Sequence, residues 1–249
     1  MRVCNIYPIA NQHHYKKEKM VMILAHLVKK GLYKPEYFNE KQYIIMDNGL
    51  YEKAQVSTSL QDCIDIAEAS GIPVNEIIVP DSLNDYYGNI EMFEKNLATM
   101  LKYKDKYTFM FVAQAKTYEE MEKSILFANE YYGKLNLTIG ISKLCALARD
   151  SLQACSIYRK SLFPIHFLGI KTTFKELLQA RTLIRSCDTS QLAYMAKNEI
   201  MVDDLDIVHY ERSEEIGPDI DLEFDKLSNH KLNKLISSEK EAFKEYGIL

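Results

Sequence analysis

The chain has 249 residues, 47% of them apolar, enough to bury one sizeable core and close to the usual size of an eight-stranded α/β barrel. Its 31 basic and 35 acidic residues leave a net charge of −4, which supplies no general attraction for nucleic acid, although a local basic face can sit within an acidic total. No run approaches the ~20 apolar residues of a membrane span, the start lacks a secretory apolar stretch, and the five cysteines form no Cys-x-x-Cys pair, so a cytoplasmic protein with reduced thiols is expected.

In chain order, residues 3–7 read as a first strand, and residues 16–29 as a helix carrying Met20, Ile23, Leu24 and Leu27 on one face. Tyr43–Asp47 is the second strand, closing on Asp47–Asn48–Gly49, a turn sequence. Ser59 is placed to cap a helix bearing Leu60, Cys63, Ile64 and Ala67. A third strand over residues 76–81 ends at Pro80–Asp81, and Ile90, Phe93, Leu97 and Leu101 follow at helical spacing. Thr108–Ala113 is the fourth strand, ending at Gln114, and a helix follows over residues 118–131. Strands over 135–140 and 164–169 alternate with helices over 144–156 and 173–183. A short seventh strand ends at Asp188, an eighth is expected over residues 205–210, and a helix within 222–246 closes the chain. The alternation runs through 1–249 without a linker, predicting one domain with a (β/α)₈ barrel fold, modified or not fully regular.

The runs share a polar end: Asp47, Asp81, Gln114 and Asp188 can meet at one rim, where such barrels carry their sites. A doubly wound sheet fits less well, because it would be expected to carry a glycine-rich phosphate loop and none occurs. His-Glu-x-x-His, Gly-x-Ser-x-Gly and clustered Cys/His sets are also missing, so no cofactor or metal is expected. Adjacent His13 and His14 point in different directions and make a poor metal pair by themselves. Lys16, Lys17, Lys19, Lys29 and Lys30, and then Lys102, Lys104 and Lys106, read as solvated surface.

Carboxylate chemistry is what remains. Asp188 lies among small residues, Ser186–Cys187 and Thr189–Ser190, where a substrate can approach closely. A carboxylate can attack an anomeric carbon while a second acid serves the departing base, and Asp47 is the best second acid. The plainer readings are that Asp47 caps the Asn48–Gly49 turn and that Asp188 begins a helix.

The ordered set Met46–Asp47–Asn48–Gly49–Leu50–Tyr51, Val79–Pro80–Asp81, Val112–Ala113–Gln114, Ile139–Gly140–Ile141–Ser142, His166–Phe167–Leu168–Gly169 and Ser186–Cys187–Asp188 resembles the tRNA-guanine transglycosylase superfamily, with its DNA-acting 7-deazaguanine relatives. The likeness covers roughly residues 40–200. It implies a modified (β/α)₈ barrel that exchanges guanine for a 7-deazaguanine-type base through a covalent aspartyl intermediate. Its partners would be a purine-like or 7-deazaguanine base and DNA or tRNA, and it leaves a homodimer open.

Carried over by position, Asp188 would be the nucleophile and Asp47 the proton shuttle, with Tyr51 and Leu168 stacking on the two faces of the base. Asp81 and Gln114 would read the base edge, and Gly140 and Gly169 would let backbone approach it. No cysteine follows Cys187, so the tRNA enzymes' zinc site is not expected, and the acidic, short chain weakens transfer RNA as substrate. Two alternatives stand beside base exchange: hydrolysis of an N-glycosidic bond in a nucleoside or nucleic acid, and a barrel that binds a guanine-like ligand without chemistry. Both Asp47 and Asp188 being present favours an enzyme, because recognition alone needs neither.

Overall fold

Short apolar runs buried on both faces dictate a parallel sheet. The computed structural model describes residues 1–49, 58–142, 145, 147–170, 180–198, 222, 223 and 225–245. Eight strands lie within them: β1 (Arg2–Asn5), β2 (Met20–Leu24), β3 (Tyr43–Asp47), β4 (Glu76–Ile78), β5 (Thr108–Ala113), β6 (Leu137–Ser142), β7 (Ile165–Leu168) and β8 (Ser186–Thr189). They form one all-parallel sheet in the order β1-β8-β7-β6-β5-β4-β3-β2. β1 and β2 come side by side, so the sheet nearly closes into the expected barrel.

Helices cover the outside: α1 (Ala25–Lys29), α2 (Leu60–Ala69), α3 (Tyr86–Tyr103), α4 (Tyr118–Asn129), α5 (Leu152–Tyr158), α6 (Gln191–Lys197) and α7 (Asn229–Glu245). Their starts follow from side-chain caps: Ser59 accepts from Asp62 N, Asp85 from Gly88 N, and Thr117 and Glu120 form a capping box. The large core lies between strands and helices, with Ile44, Met46, Phe109 and Phe111 on the outward faces. The barrel interior is a separate, smaller cluster of Cys4, Met20, Met22, Ile45, Ile78, Met110 and Val112. No described helix is long and apolar enough to cross a membrane.

One element differs from expectation and changes the strand count. Residues 16–29 are not a helix: a 3₁₀ helix, Ile9–Lys17, leads into β2 and then the short α1. The run Met-Val-Met-Ile-Leu is buried at every position and pairs with β3 along its whole length. Such a short run satisfies helical and strand spacing alike, and only a neighbouring strand decides between them. Ser186–Thr189 is therefore the eighth strand of the described sheet, and the strand expected over 205–210 lies outside the described residues. Helix α5 likewise begins at Leu152, later than the expected residue 144.

The turn after β3 depends on Gly49. Its φ is +76°, and a Cβ there would stand 2.6 Å from His26 Nδ1. Left-handed backbone disfavours any residue with a Cβ by about 1–2 kcal/mol before the clash is counted. Gly49→Ala should therefore lower unfolding free energy in urea by at least that amount; an unchanged midpoint would mean the turn relaxes freely.

Helix α7 packs over the β1 side of the barrel and brings Glu239 inside. Glu239 is 2% exposed and its Oε2 accepts from Asn5 Nδ2 at 2.7 Å. Burial, and then the charge of Glu18, push its carboxyl up to about 8 against the opposing effects of Asn5 and Lys240. Glu18 is itself raised by burial and accepts from the Tyr7 hydroxyl at 2.9 Å.

Candidate functional site

Strand parity sends alternate side chains into the barrel. Tyr43 and Ile45 line the interior cluster, as do Met110 and Val112, which puts Asp47 and Gln114 on the inward register at the C-terminal ends of β3 and β5. The same parity brings His166 and Leu168 inward on β7, and Ser186 and Asp188 on β8. Asp188 is opposite Cys4 in the β1–β8 ladder, and His166 opposite Ser186 in β7–β8. Burial, and then the charge of Asp188, push the Cys4 thiol well up, so it stays protonated inside the barrel.

Asp188 is held asymmetrically. Its Oδ1 accepts from His166 Nε2 and from Gly169 N, each at 3.0 Å. Among the described residues no donor reaches Oδ2, and Asp188 is 5% exposed. Gly169 has φ +59°, a conformation suited to glycine, and stands at the bend that carries the chain out of β7. The strand ends beside it are tied by Arg149, which donates to the carbonyls of Ile141 (3.0 Å), Leu168 (2.8 Å) and Gly169 (3.1 Å) and lies over the Phe167 ring.

A second cluster joins the ends of β3, β4 and β5. Asp81 Oδ1 accepts from Asn48 Nδ2 at 3.2 Å and its Oδ2 from Gln114 Nε2 at 2.8 Å. Burial raises the Asp81 carboxyl, and the two amide donors pull the other way without prevailing. Asp47 is near this cluster in sequence but makes a local bond: its Oδ1 accepts from Gly49 N at 2.9 Å, as a turn cap does.

The expected site residues thus fall into groups. Asp188 and Gly169 are in direct contact, as are Asp81 and Gln114. Leu168 and Gly140 meet inside the barrel, where a Cβ on Gly140 would stand 2.9 Å from Leu168 Cδ1 and from Met110 Sδ. Tyr51 lies outside the described residues. His166, Ser186, Asn48 and Arg149 had been given no role. Inward parity two residues before Leu168 was a legible signal for His166, whereas nothing local marked Arg149. Among the described residues no three His, Cys, Asp or Glu side chains cluster closely enough to hold a metal ion.

No protein-family model and no curated protein sequence matches the chain. Solved structures do share its architecture. A provisional phosphonomutase from Burkholderia cenocepacia is 9% identical with a TM-score of 0.50, over 80% of this chain and 90% of that one. The fold is an α/β barrel. A glycerol uptake operon antiterminator-related protein from Thermotoga maritima is 13% identical at TM-score 0.44, covering 76% of this chain and 94% of that one. A methylaspartate ammonia lyase from Clostridium tetanomorphum is 12% identical at 0.48, and the match spans 98% of this chain but 60% of the lyase.

These comparisons correct the family expectation. The barrel that matches at a TM-score of 0.50 carries the name of a phosphonomutase, not of a transglycosylase, and no transglycosylase family model matches the chain. Membership of the transglycosylase superfamily, and with it 7-deazaguanine exchange and nucleic-acid modification, is withdrawn. The physical reason is visible in the motifs. Asn48–Gly49 makes a turn, Gly140 makes room for Leu168 and Met110, and Gly169 turns the chain out of β7. Short strand-end motifs of this kind answer demands of the barrel itself.

Proposed function

We propose that the protein is an enzyme that hydrolyses the N-glycosidic bond of a nucleoside-like substrate at the C-terminal mouth of the barrel. The observation that carries this is the asymmetric hold on Asp188: one oxygen is oriented by two donors, and none among the described residues engages the other. Asp188 Oδ2 would form a bond to the anomeric carbon as the C–N bond breaks, its electron pair leaving with the base and a proton being supplied to the base nitrogen. Water would then cleave the glycosyl ester at the anomeric carbon and restore the carboxylate.

Across the mouth, Asn48, Asp81 and Gln114 offer amide and carboxyl groups suited to the edge of a planar nitrogen heterocycle. Asp81, its carboxyl raised by burial, can carry the proton for the leaving base, with Asp47 as the other candidate acid and Leu168 and Gly169 beside the sugar. The family of natural barrels with known catalysis favours an enzyme only by analogy of fold.

The test is incubation with a panel of purine and pyrimidine nucleosides and their 2-fluoro sugar analogues, read by chromatography of the released base and intact-protein mass spectrometry. A glycosyl adduct on the Asp188 peptide supports the assignment; released base without an adduct on any slow substrate would move the chemistry to direct attack by water. Asp81→Asn is expected to slow release from bases that need a proton by roughly 10²–10⁴-fold. Bases that leave without protonation should be cleaved nearly as before. If Asp47→Asn shows that selectivity and Asp81→Asn does not, the proton belongs to Asp47.

A further inference from the structure

Below Asp188 a single file of polar groups crosses the barrel interior from its N-terminal end to the mouth. Glu76, the first residue of β4, is fully buried, and its Oε2 accepts from Arg185 Nη2 at 2.8 Å. Arg185 lies over the Tyr43 ring, and its Nε donates to Ser186 Oγ at 3.2 Å. Ser186 Oγ is 2.8 Å from His166 Nδ1, and His166 Nε2 is 3.0 Å from Asp188 Oδ1.

The donors and acceptors of this file admit one consistent assignment for a neutral imidazole. Guanidinium nitrogens only donate, so Ser186 Oγ accepts from Arg185, and an ionised carboxylate only accepts, so His166 Nε2 must carry a proton. Nδ1 is then the acceptor, and the Ser186 hydroxyl proton is directed to it. We propose that Glu76, Arg185 and Ser186 are positioning residues that anchor the Nδ1 side of the His166 ring, so that the Nε2–H set by the carboxylate stays aimed at Asp188 Oδ1.

Stability does not explain the ion pair at the base of the file. Glu76 is completely withdrawn from water, and its Oε1 has no hydrogen-bond partner among the described residues. A buried pair with an unmatched oxygen recovers little of its desolvation, and apolar residues of similar volume often stabilise such a position as well or better. What the pair supplies is direction. Two charges anchored on β4 and at the start of β8 leave the Arg185 Nε–H one place to go, and Ser186 is the residue that receives it.

That this orientation matters for turnover rests on the assignment of Asp188 as nucleophile; the anchoring of the ring does not. The experiment uses protein carrying ¹⁵N-histidine and long-range ¹H–¹⁵N correlation spectra. In the parent, His166 should show a protonated Nε2 and a bare Nδ1. Ser186→Ala, and to a smaller extent the volume-conserving pair Glu76→Met with Arg185→Met, should keep the Nε2–H tautomer but move the Nδ1 resonance downfield, towards that of an imidazole nitrogen that accepts no hydrogen bond, while thermal unfolding stays cooperative. Glu76→Gln still accepts from Arg185 and should retain the parent Nδ1 resonance. Where a nucleoside is cleaved, kcat should fall by about 10–100-fold in the first two variants, as for other groups that orient a reacting residue, with KM little changed. A parent His166 protonated on Nδ1 would overturn the proposal. So would an Nδ1 resonance unchanged in Ser186→Ala, which decides the matter if the paired variant does not fold. Nδ1 resonances that respond as expected in a protein that cleaves no nucleoside support the anchoring of the ring and remove only the glycosidic assignment.

Discussion

Asp188→Asn should reduce cleavage of any accepted nucleoside by on the order of 10⁴-fold or more, the scale seen when a reacting side chain is removed from an assembled site. The substitution is close to isosteric. Its carbonyl oxygen can still accept from His166 Nε2 and Gly169 N, the two donors that hold Oδ1 in the parent, so the rim should keep its shape. The amide nitrogen would then take the place of Oδ2, and it has no lone pair available to attack carbon. Binding of the free base, which the cluster of Asn48, Asp81 and Gln114 is positioned to contact, should change little. Titration calorimetry and single-turnover kinetics on the same preparation separate the two effects. Turnover within about tenfold of the parent would remove Asp188 from the nucleophilic role, whatever the binding result.

Glu239→Gln should stabilise the protein in mild alkali. The carboxyl is held at about 8 in the folded chain, against 4.5 for an unperturbed glutamate. A raised folded value means that the native state holds the proton more tightly than the unfolded chain. The associated stability is complete below about pH 4.5, declines as pH rises, and is gone above about 8. The linked free energy is on the order of 5 kcal/mol across that window, an upper figure because the interior can relax.

Geometry gives the same sign. Asn5 Nδ2 donates to Glu239 Oε2, while the buried Asn5 Oδ1 has no hydrogen-bond partner among the described residues. A protonated carboxyl, or the amide of Gln, can donate to that oxygen and complete a two-bond pair; an ionised carboxylate cannot. Removing the charge also removes its repulsion with Glu18, while Lys240 loses a favourable partner. Denaturant titrations from pH 5 to 9 should show the parent losing stability faster than the variant, with a gap of a few kcal/mol at pH 8.5. Parallel curves would mean that Glu239 does not titrate in this range.

Much of the scaffold was readable from local signals. Buried runs such as Thr108–Ala113 and the capped helix beginning at Leu60 announce themselves because burial period and cap chemistry act over a few residues. Polar residues at the strand ends marked the rim for the same reason: each closes a local apolar run, so Asp47, Asp81, Gln114 and Asp188 could be assigned a common end before any neighbour was known. The family inference failed at this same level, since turn and packing residues at strand ends report the barrel more than its chemistry.

Which strands are neighbours is not a local property. Met20–Leu24 becomes a strand because β3 pairs with it throughout, and that pairing makes Ser186–Thr189 the eighth strand beside β1. From this closure follow the contacts that the linear chain conceals. His166 meets Ser186 and Asp188 across two adjacent strands, Arg185 reaches Glu76 from 109 positions away, and Glu239 reaches Asn5 from 234. The sequence by itself determined the alternating elements and the polar ends of the strands, because hydrophobic period, capping and turn preference are short-range. The tertiary structure alone decided which oxygen of Asp188 is held and which meets no donor among the described residues, because that depends on donors delivered by the neighbouring strand β7 and the bend that follows it.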